Sequence, residues 1–254
     1  MKPLTAYIKK ELIESIYNFR LIITLSIFFL VGVISPLGAR FLPEILNQFL
    51  DAGIEFYLPE PTYLDAYHQL FENITQLAMI AFVLVFGNTL SGELSKNSLQ
   101  ILLSKGLSRW AVVLSKYVVM VVIWTLSLAL STISCYLYTY YFFGSHRPEN
   151  LFEGMLALWV FGAFIIGILI WINVLIKSYS ICLLLFAICI GVLYLLNLLE
   201  LLTIYNPVTL LGVFRNLSLQ EAIFSDYTIL LSITSGFSML FLLLATYLIY
   251  RKSI

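Results

Sequence analysis

Charge is scarce in this chain. Only 11% of its 254 residues are Asp, Glu, Lys or Arg, against roughly 25% in soluble domains. Histidine is scarcer: His68 and His146 stand far apart, which excludes an HExxH metal site and denies an intramembrane Ser–His hydrolase its base. Cys135, Cys182 and Cys189 lie in apolar stretches without CxxC spacing, and read as small buried hydrophobes rather than redox or zinc residues. No GxxxxGK[ST] phosphate loop occurs, so the chain does not bind nucleotide in that way. Lys116 and Glu200 approach the apolar stretches but sit near their ends. Both read as interfacial residues, Lys116 snorkelling to the inner surface. A membrane-embedded enzyme would hold ionisable groups inside the bilayer, so no catalytic, metal or cofactor-binding residue is assigned. The formal net charge of zero carries no implication for nucleic acid, and no nucleic-acid partner is expected.

Hydrophobic residues make up 61% of the chain, and the mean hydropathy is +0.98. A soluble fold of this size cannot hide so much apolar surface, so the excess faces lipid. About 20 apolar residues cross the hydrocarbon, and six stretches qualify: 21–38, 74–91, 110–143, 154–176, 181–204 and 228–250. The fold class is therefore an all-α integral membrane protein with a single transmembrane domain, 21–254. The third stretch is longer than one span needs. Its end (Tyr136, Tyr138, Tyr140, Tyr141, Phe142, Phe143) reads as an interfacial aromatic girdle.

Basic residues orient the spans. With the N-terminus inside, the cytoplasmic side receives 11 of the 14 Lys and Arg residues, leaving Arg40, Arg147 and Arg215 outside. Both termini are then cytoplasmic. The first 20 residues lack the apolar core of a cleavable signal peptide, so the first span is expected to serve as its own insertion signal. Residues 1–20 form a separate element. Leu4, Ile8, Leu12, Ile13 and Ile16 share one broad helical face, with Lys10, Glu11, Glu14 and Asn18 opposite and Tyr7 and Lys9 off pattern. This reads as a helix lying on the inner leaflet, the alternative being a plain extension of the first span.

The outer segment 39–73 is too long for a bare connection. A short helix is expected from Leu42 to Leu50, then an extended stretch at Pro59 and Pro61, then a helix capped by Thr62 or Asp65. In the outer segment 205–227, Val208 to Phe214 is apolar but too short to span, as in a re-entrant or interfacial helix pair. The sequons at Asn73 and Asn216 read as chance matches.

The connection between the second and third spans carries most information. Residues 94–105 are expected to form about three helical turns, with Leu99, Leu102, Leu103 and Leu107 on one face. Gly106 suits the left-handed conformation that ends a helix, and Ser108 is placed to cap the next one. Such an element must bury its apolar face, either on lipid headgroups or in another protein.

At these residues the chain resembles the permease subunits of type-2 ABC exporters. The resemblance rests on Ile8-Lys9-Lys10-Glu11-Leu12, Ser35-Pro36-Leu37, Leu42-Pro43-Glu44-Ile45-Leu46 and Leu58-Pro59-Glu60-Pro61-Thr62 with Asp65. The strongest match is Gly92-Glu93, Leu102-Leu103-Ser104, Ser108-Arg109-Trp110 and Val113-Leu114-Ser115-Lys116. It covers residues 1–145 by motif and the remainder by hydropathy. Lys96-Asn97-Ser98 stands where the family usually has a glycine-threonine pair, and Gly106 where a proline is common.

The resemblance implies that residues 93–107 are a coupling helix seated in a separate ATPase. The docking residues are then Glu93, Leu94, Lys96, Ser98, Leu99, Leu102, Leu103, Ser104, Lys105, Gly106 and Arg109, and the interfacial helix contributes Lys9, Lys10, Glu11 and Glu14. ATP and Mg belong to the partner, and the chain itself is non-catalytic. The expected assembly has two permeases, two copies of this chain or one with a related permease, and two ATPases in a bacterial plasma membrane. A pathway poor in charge suits an amphiphilic cargo: an antimicrobial or cytolytic peptide, a drug or a lipid-like molecule. The competing readings are a stand-alone carrier, which would be expected to show inverted repeats or interrupted helices, and a structural or regulatory membrane protein.

Overall fold

The computed structural model describes residues 2–49, 60–92, 108–144 and 147–251. Every regular element among them is helical: α1 (Lys2–Tyr17), α2 (Arg20–Phe49), α3 (Tyr63–Asn73), α4 (Met79–Phe86), α5 (Arg109–Phe143), α6 (Leu151–Leu175), α7 (Tyr179–Leu196), α8 (Glu200–Thr203), α9 (Val213–Ser218) and α10 (Thr228–Arg251). A π-helical turn, Ile74–Ala78, joins α3 to α4, and 3-10 turns occupy Pro207–Gly212 and Phe224–Tyr227. Six helical stretches are long and apolar enough to cross a membrane: Arg20–Leu42, Tyr63–Phe86, Arg109–Phe143, Leu151–Leu175, Tyr179–Leu196 and Phe224–Arg251. The chain is an all-α integral membrane protein.

The second span ends at Phe86 rather than 91, and three other span ends depart further from those read in the sequence. The first helix runs through Pro36 to Phe49 instead of stopping at 38. Pro36 removes the donor to the Gly32 carbonyl without ending the helix. Beside it Asn73 Nδ2 donates to Ser35 Oγ at 2.9 Å, which holds the helix against α3, and Ser35 donates to the Val31 carbonyl at 2.7 Å. The second span begins at Tyr63 rather than 74. Asp65 Oδ2 accepts from both the backbone N–H and the hydroxyl of Thr62 at 2.8 Å, and the helix started there continues through the π turn. The polar residues of α3 mask this continuity in a hydropathy profile. The fifth span stops at Leu196 rather than 204. Asn206 Nδ2 donates to the Leu193 carbonyl at 2.7 Å, and Thr209 donates to Asn197 Oδ1 at 2.9 Å, folding the chain back.

The apolar stretch expected as a re-entrant or interfacial pair is a 3-10 turn followed by α9. It buries Val208, Leu210, Val213, Phe214 and Leu217. Phe214 stacks on Phe71 with centroids 4.3 Å apart and planes at 7°, and Asn150 Nδ2 donates to the Leu217 carbonyl at 3.2 Å. The long third span is one unbroken helix, ended by Gly144 at φ 82, with exposed Tyr136, Tyr138, Tyr140 and Tyr141 near its end.

The fourth span, α6, is the axis of the bundle: 78% of its most apolar stretch is buried, against 11% for the fifth. Lipid-soluble helices gain little from apolar burial alone, so close approach and hydrogen bonds decide their packing. Tyr117 and Ser238 hydroxyls meet at 3.0 Å, and Ser238 donates to the Ala163 carbonyl at 3.1 Å, which ties α5, α10 and α6 together. Trp159 Nε1 donates to Thr125 at 2.8 Å. At the crossing of α5 and α6, Trp124 lies flat enough on Gly162 that a Cβ there would sit 2.1 Å from its Cε2. Gly162→Ala should therefore cost about 1–3 kcal/mol through overpacking, seen as a lower melting temperature in detergent. Gly191→Ala, whose Cβ meets nothing within 4 Å, should be neutral or slightly stabilising.

Candidate functional site

One end of the bundle gathers Lys9, Lys10, Arg20, Arg109, Lys116, Lys177 and Arg251 and is called the basic end below. Both flanks of residues 93–107 lie there. Residues 93–107, with Glu93, Leu94, Lys96, Ser98, Leu99, Leu102, Leu103, Ser104, Lys105 and Gly106, fall outside the described residues, so of the expected docking set only Arg109 is described.

Before this segment, the second span ends in a polar turn. Ser91 donates its backbone N–H to Asn173 Oδ1 at 3.2 Å and its hydroxyl to Asn88 Oδ1 at 3.1 Å. Asn173 is buried in α6 and donates to the Leu169 carbonyl at 2.8 Å. A buried amide that accepts a backbone N–H removes a desolvation cost of about 1–3 kcal/mol. The start of the connection is thereby tied to the central helix.

After it, Ser108 occupies the N-cap position of α5 in extended conformation, without the side-chain bond expected of it. Arg109 Nη1 donates to the carbonyls of Ile249 and Tyr250 at 2.8 and 3.0 Å. These are among the last carbonyls of α10, where a cation also meets the negative end of the helix dipole. The exit of the connection is tied to the sixth span.

Two turns further along α5, Lys116 is 1% exposed and its Nζ lies 2.9 Å from Glu11 Oε2; Glu11 is 3% exposed. The lysine does not snorkel to the surface as its position suggested. It turns inward because α1 packs along α5 and brings a carboxylate to it. Lys10 completes the cluster, 2.9 Å from Glu11 and 2.6 Å from Glu14, with its Nζ 5.0 Å from the Tyr7 ring centroid.

The face of α1 is rotated from the one expected. Tyr7, Glu11 and Ser15 are buried and Leu4, Ile8 and Leu12 half-buried, while Ile13 and Ile16 are exposed. The true stripe of positions 4, 7, 8, 11, 12 and 15 has the spacing of a packed helix face, but its central member is charged. Lys9 is exposed, and Glu14 faces outward at the edge.

Burial pushes the Glu11 carboxyl up, and the ammonium groups of Lys116 and Lys10 outweigh it, holding the carboxyl below its ordinary 4.5. A charge held in a dry site needs such partners, since removing one leaves an uncompensated ion.

The structure is thus a six-span helical bundle whose basic end is tied together by several polar contacts. Among the described residues no group of three or more His, Cys, Asp or Glu side chains is placed to hold a metal ion. The chain belongs to the ABC-2 family transporter proteins, whose family model matches residues 5–251. It is thus a membrane permease of an ABC transporter, and membership implies an ATPase partner and a dimer. No curated protein and no solved structure matches the chain.

Because the folded Glu11 titrates below its unfolded value, its pair contributes stability above about pH 4.5 and loses it as pH falls through the lower folded value. The melting temperature of the purified chain should fall on acidification across that window. Glu11→Gln should be less stable at pH 7 by about 3–5 kcal/mol and should lose that part of the pH dependence.

Proposed function

We propose that the chain is the permease half of an exporter powered by a separate ATPase, which docks on residues 93–107. The assembly holds two copies of this chain and two ATPases, and ATP and Mg are bound by the partner. It works in a bacterial plasma membrane with both termini cytoplasmic, an orientation supported by the 11 to 3 division of basic residues.

The observation that carries this reading is the anchoring on either side of the connection. Ser91 is bonded to α6, Arg109 to α10 and Lys116 to α1. A push on the segment between them reaches three helices through short polar contacts rather than through loose loops. Closure of two nucleotide-bound ATPases then moves the spans as rigid bodies. Helices with few ionisable groups fit an amphiphilic cargo: a cytolytic or antimicrobial peptide, a drug or a lipid-like molecule.

Leu102 and Leu103 form the apolar face that the ATPase cleft covers. Replacing both with Asp should leave membrane insertion intact and abolish co-purification of the ATPase in mild detergent. Retention of the ATPase with full transport would remove residues 93–107 from the docking role, and transport without any ATPase would favour a stand-alone carrier.

A further inference from the structure

The third and fourth spans, α5 and α6, are tight at one level and open beyond it. At the tight level Trp124 leaves no room for a Cβ on Gly162, and Trp159 Nε1 donates to Thr125 Oγ1 at 2.8 Å. Toward the loop that joins the two helices a cleft of about 410 Å³ lies between them, reaching from Thr125 and Trp159 to Arg147.

Two independent distances fix its depth. Thr125 lies sixteen residues beyond Arg109 on α5, and Trp159 lies sixteen residues before Leu175 on α6. Each separation is about 24 Å of helix, and the hydrocarbon core is about 30 Å thick. The closed end of the cleft therefore falls in the half of the bilayer away from the basic end. Leu151, at the other end of the lining, is about 12 Å further along α6, at the level of the membrane surface.

Inside the cleft the polar groups are already satisfied. The Thr125 hydroxyl donates to the Val121 carbonyl and accepts from Trp159. The Thr132 hydroxyl donates to the Leu128 carbonyl, with Met155 Sδ 3.5 Å away. Apart from Arg147 the rest of the lining is apolar, a surface that suits hydrocarbon.

Arg147 stands at the open end. It is exposed, and the buried Pro148 that follows disfavours a helical backbone at it. Among the described residues its guanidinium forms no ion pair or hydrogen bond. Glu149 and Glu153, near it in sequence, do not line the cleft. The cleft thus joins an apolar interior to one cation at its mouth.

We propose that this cleft holds an acyl chain of an anionic phospholipid from the leaflet opposite the basic end, with the lipid phosphate on Arg147. A guanidinium meets a phosphate with two parallel N–H donors. An ammonium in the same headgroup would find no carboxylate in the lining and would be repelled by the guanidinium. A headgroup whose only charge is negative is therefore preferred. The proposal rests on the helices spanning a bilayer and is independent of the ATP-driven reading.

The test uses the full chain in phosphatidylcholine vesicles that carry a trace of phosphatidylglycerol with a diazirine in its acyl chain. Parallel vesicles carry the same label on phosphatidylcholine. After irradiation, labelled peptides are mapped by mass spectrometry. Phosphatidylglycerol should label residues 125–133 and 151–159 in preference to the exposed Phe237 on α10, which lies at a similar depth, fourteen residues before Arg251. Phosphatidylcholine should label the cleft about tenfold less, the difference expected for charge-assisted hydrogen bonds. Arg147→Ala should bring phosphatidylglycerol down to that level, whereas Arg147→Lys, which keeps the charge, should retain part of the preference. Ala129→Trp, which fills the cleft from an exposed position, should abolish labelling there with either lipid. Phe237 should stay labelled, confirming a folded, inserted chain. Equal cleft labelling by the two lipids, or labelling unmoved by Arg147→Ala, would overturn the proposal. Cleft labelling no higher than at Phe237 would overturn it too, as when a second copy or another membrane helix covers the cleft. None of these results depends on whether an ATPase binds.

Discussion

Glu11 and Lys116 leave water together, 105 residues apart in sequence, and the arrangement of the basic end follows from that. A lone buried charge costs several kcal/mol, and a pair breaks even only with good geometry and additional bonds. The geometry here is a 2.9 Å contact, with Lys10 on the second carboxylate oxygen and a tyrosine ring beneath it. Such a pair adds little net stability over two well-packed apolar residues, but it specifies position. α1 must lie along α5 in the one register that brings positions 11 and 116 together. The chain then has to reverse at once into the first span, and Phe19 takes a φ of 58 to do so, a conformation non-glycine residues seldom adopt.

The same logic of sparse polar contacts in an apolar medium runs through the bundle. α6 supplies the shared surface, and each neighbour is fixed on it by a close approach or a single bond: Gly162 under Trp124, Ala163 to Ser238, Asn173 to Ser91. The fifth span is held differently, at its ends. Tyr179 fastens one end to α4, and Asn197 with Asn206 fastens the other to the folded-back segment. Between these points it stands away from the second span, and a groove of about 630 Å³ opens there.

The number of spans was legible because 20-residue apolar stretches have few alternatives in a chain this poor in charge. Their ends were less so. Asp65, His68, Gln69 and Glu72 lower the hydropathy of α3 below that of a span, yet α3 is continuous with α4 because the Thr62–Asp65 cap starts the helix and the Phe71–Phe214 stack covers it. The helical nature of α1 was legible from its period, but its buried face was not. Glu11 reads as a solvent residue until Lys116 is known to lie across from it, and no local pattern announces a partner so distant. Asn173 and Ser238, legible only as mild polar residues within spans, serve as the packing contacts their chemistry suggests. The groove had no signal in sequence, since divergence of two helices depends on where each is tied. The proposed docking residues, 93–107, fall outside the described residues, and their proposed role rests on their flanks and on the family.

The account depends most on Glu11 and Lys116 acting as one unit, and a double-mutant cycle on the purified chain measures that directly. Glu11→Leu, Lys116→Met and the double replacement would be compared with the parent by reversible unfolding in detergent at neutral pH. The account predicts strong coupling: each single change is costly, and the double costs less than their sum by more than about 1 kcal/mol. Additive costs would show that the two groups stabilise the fold separately, and the register of α1 on α5 would then need another cause.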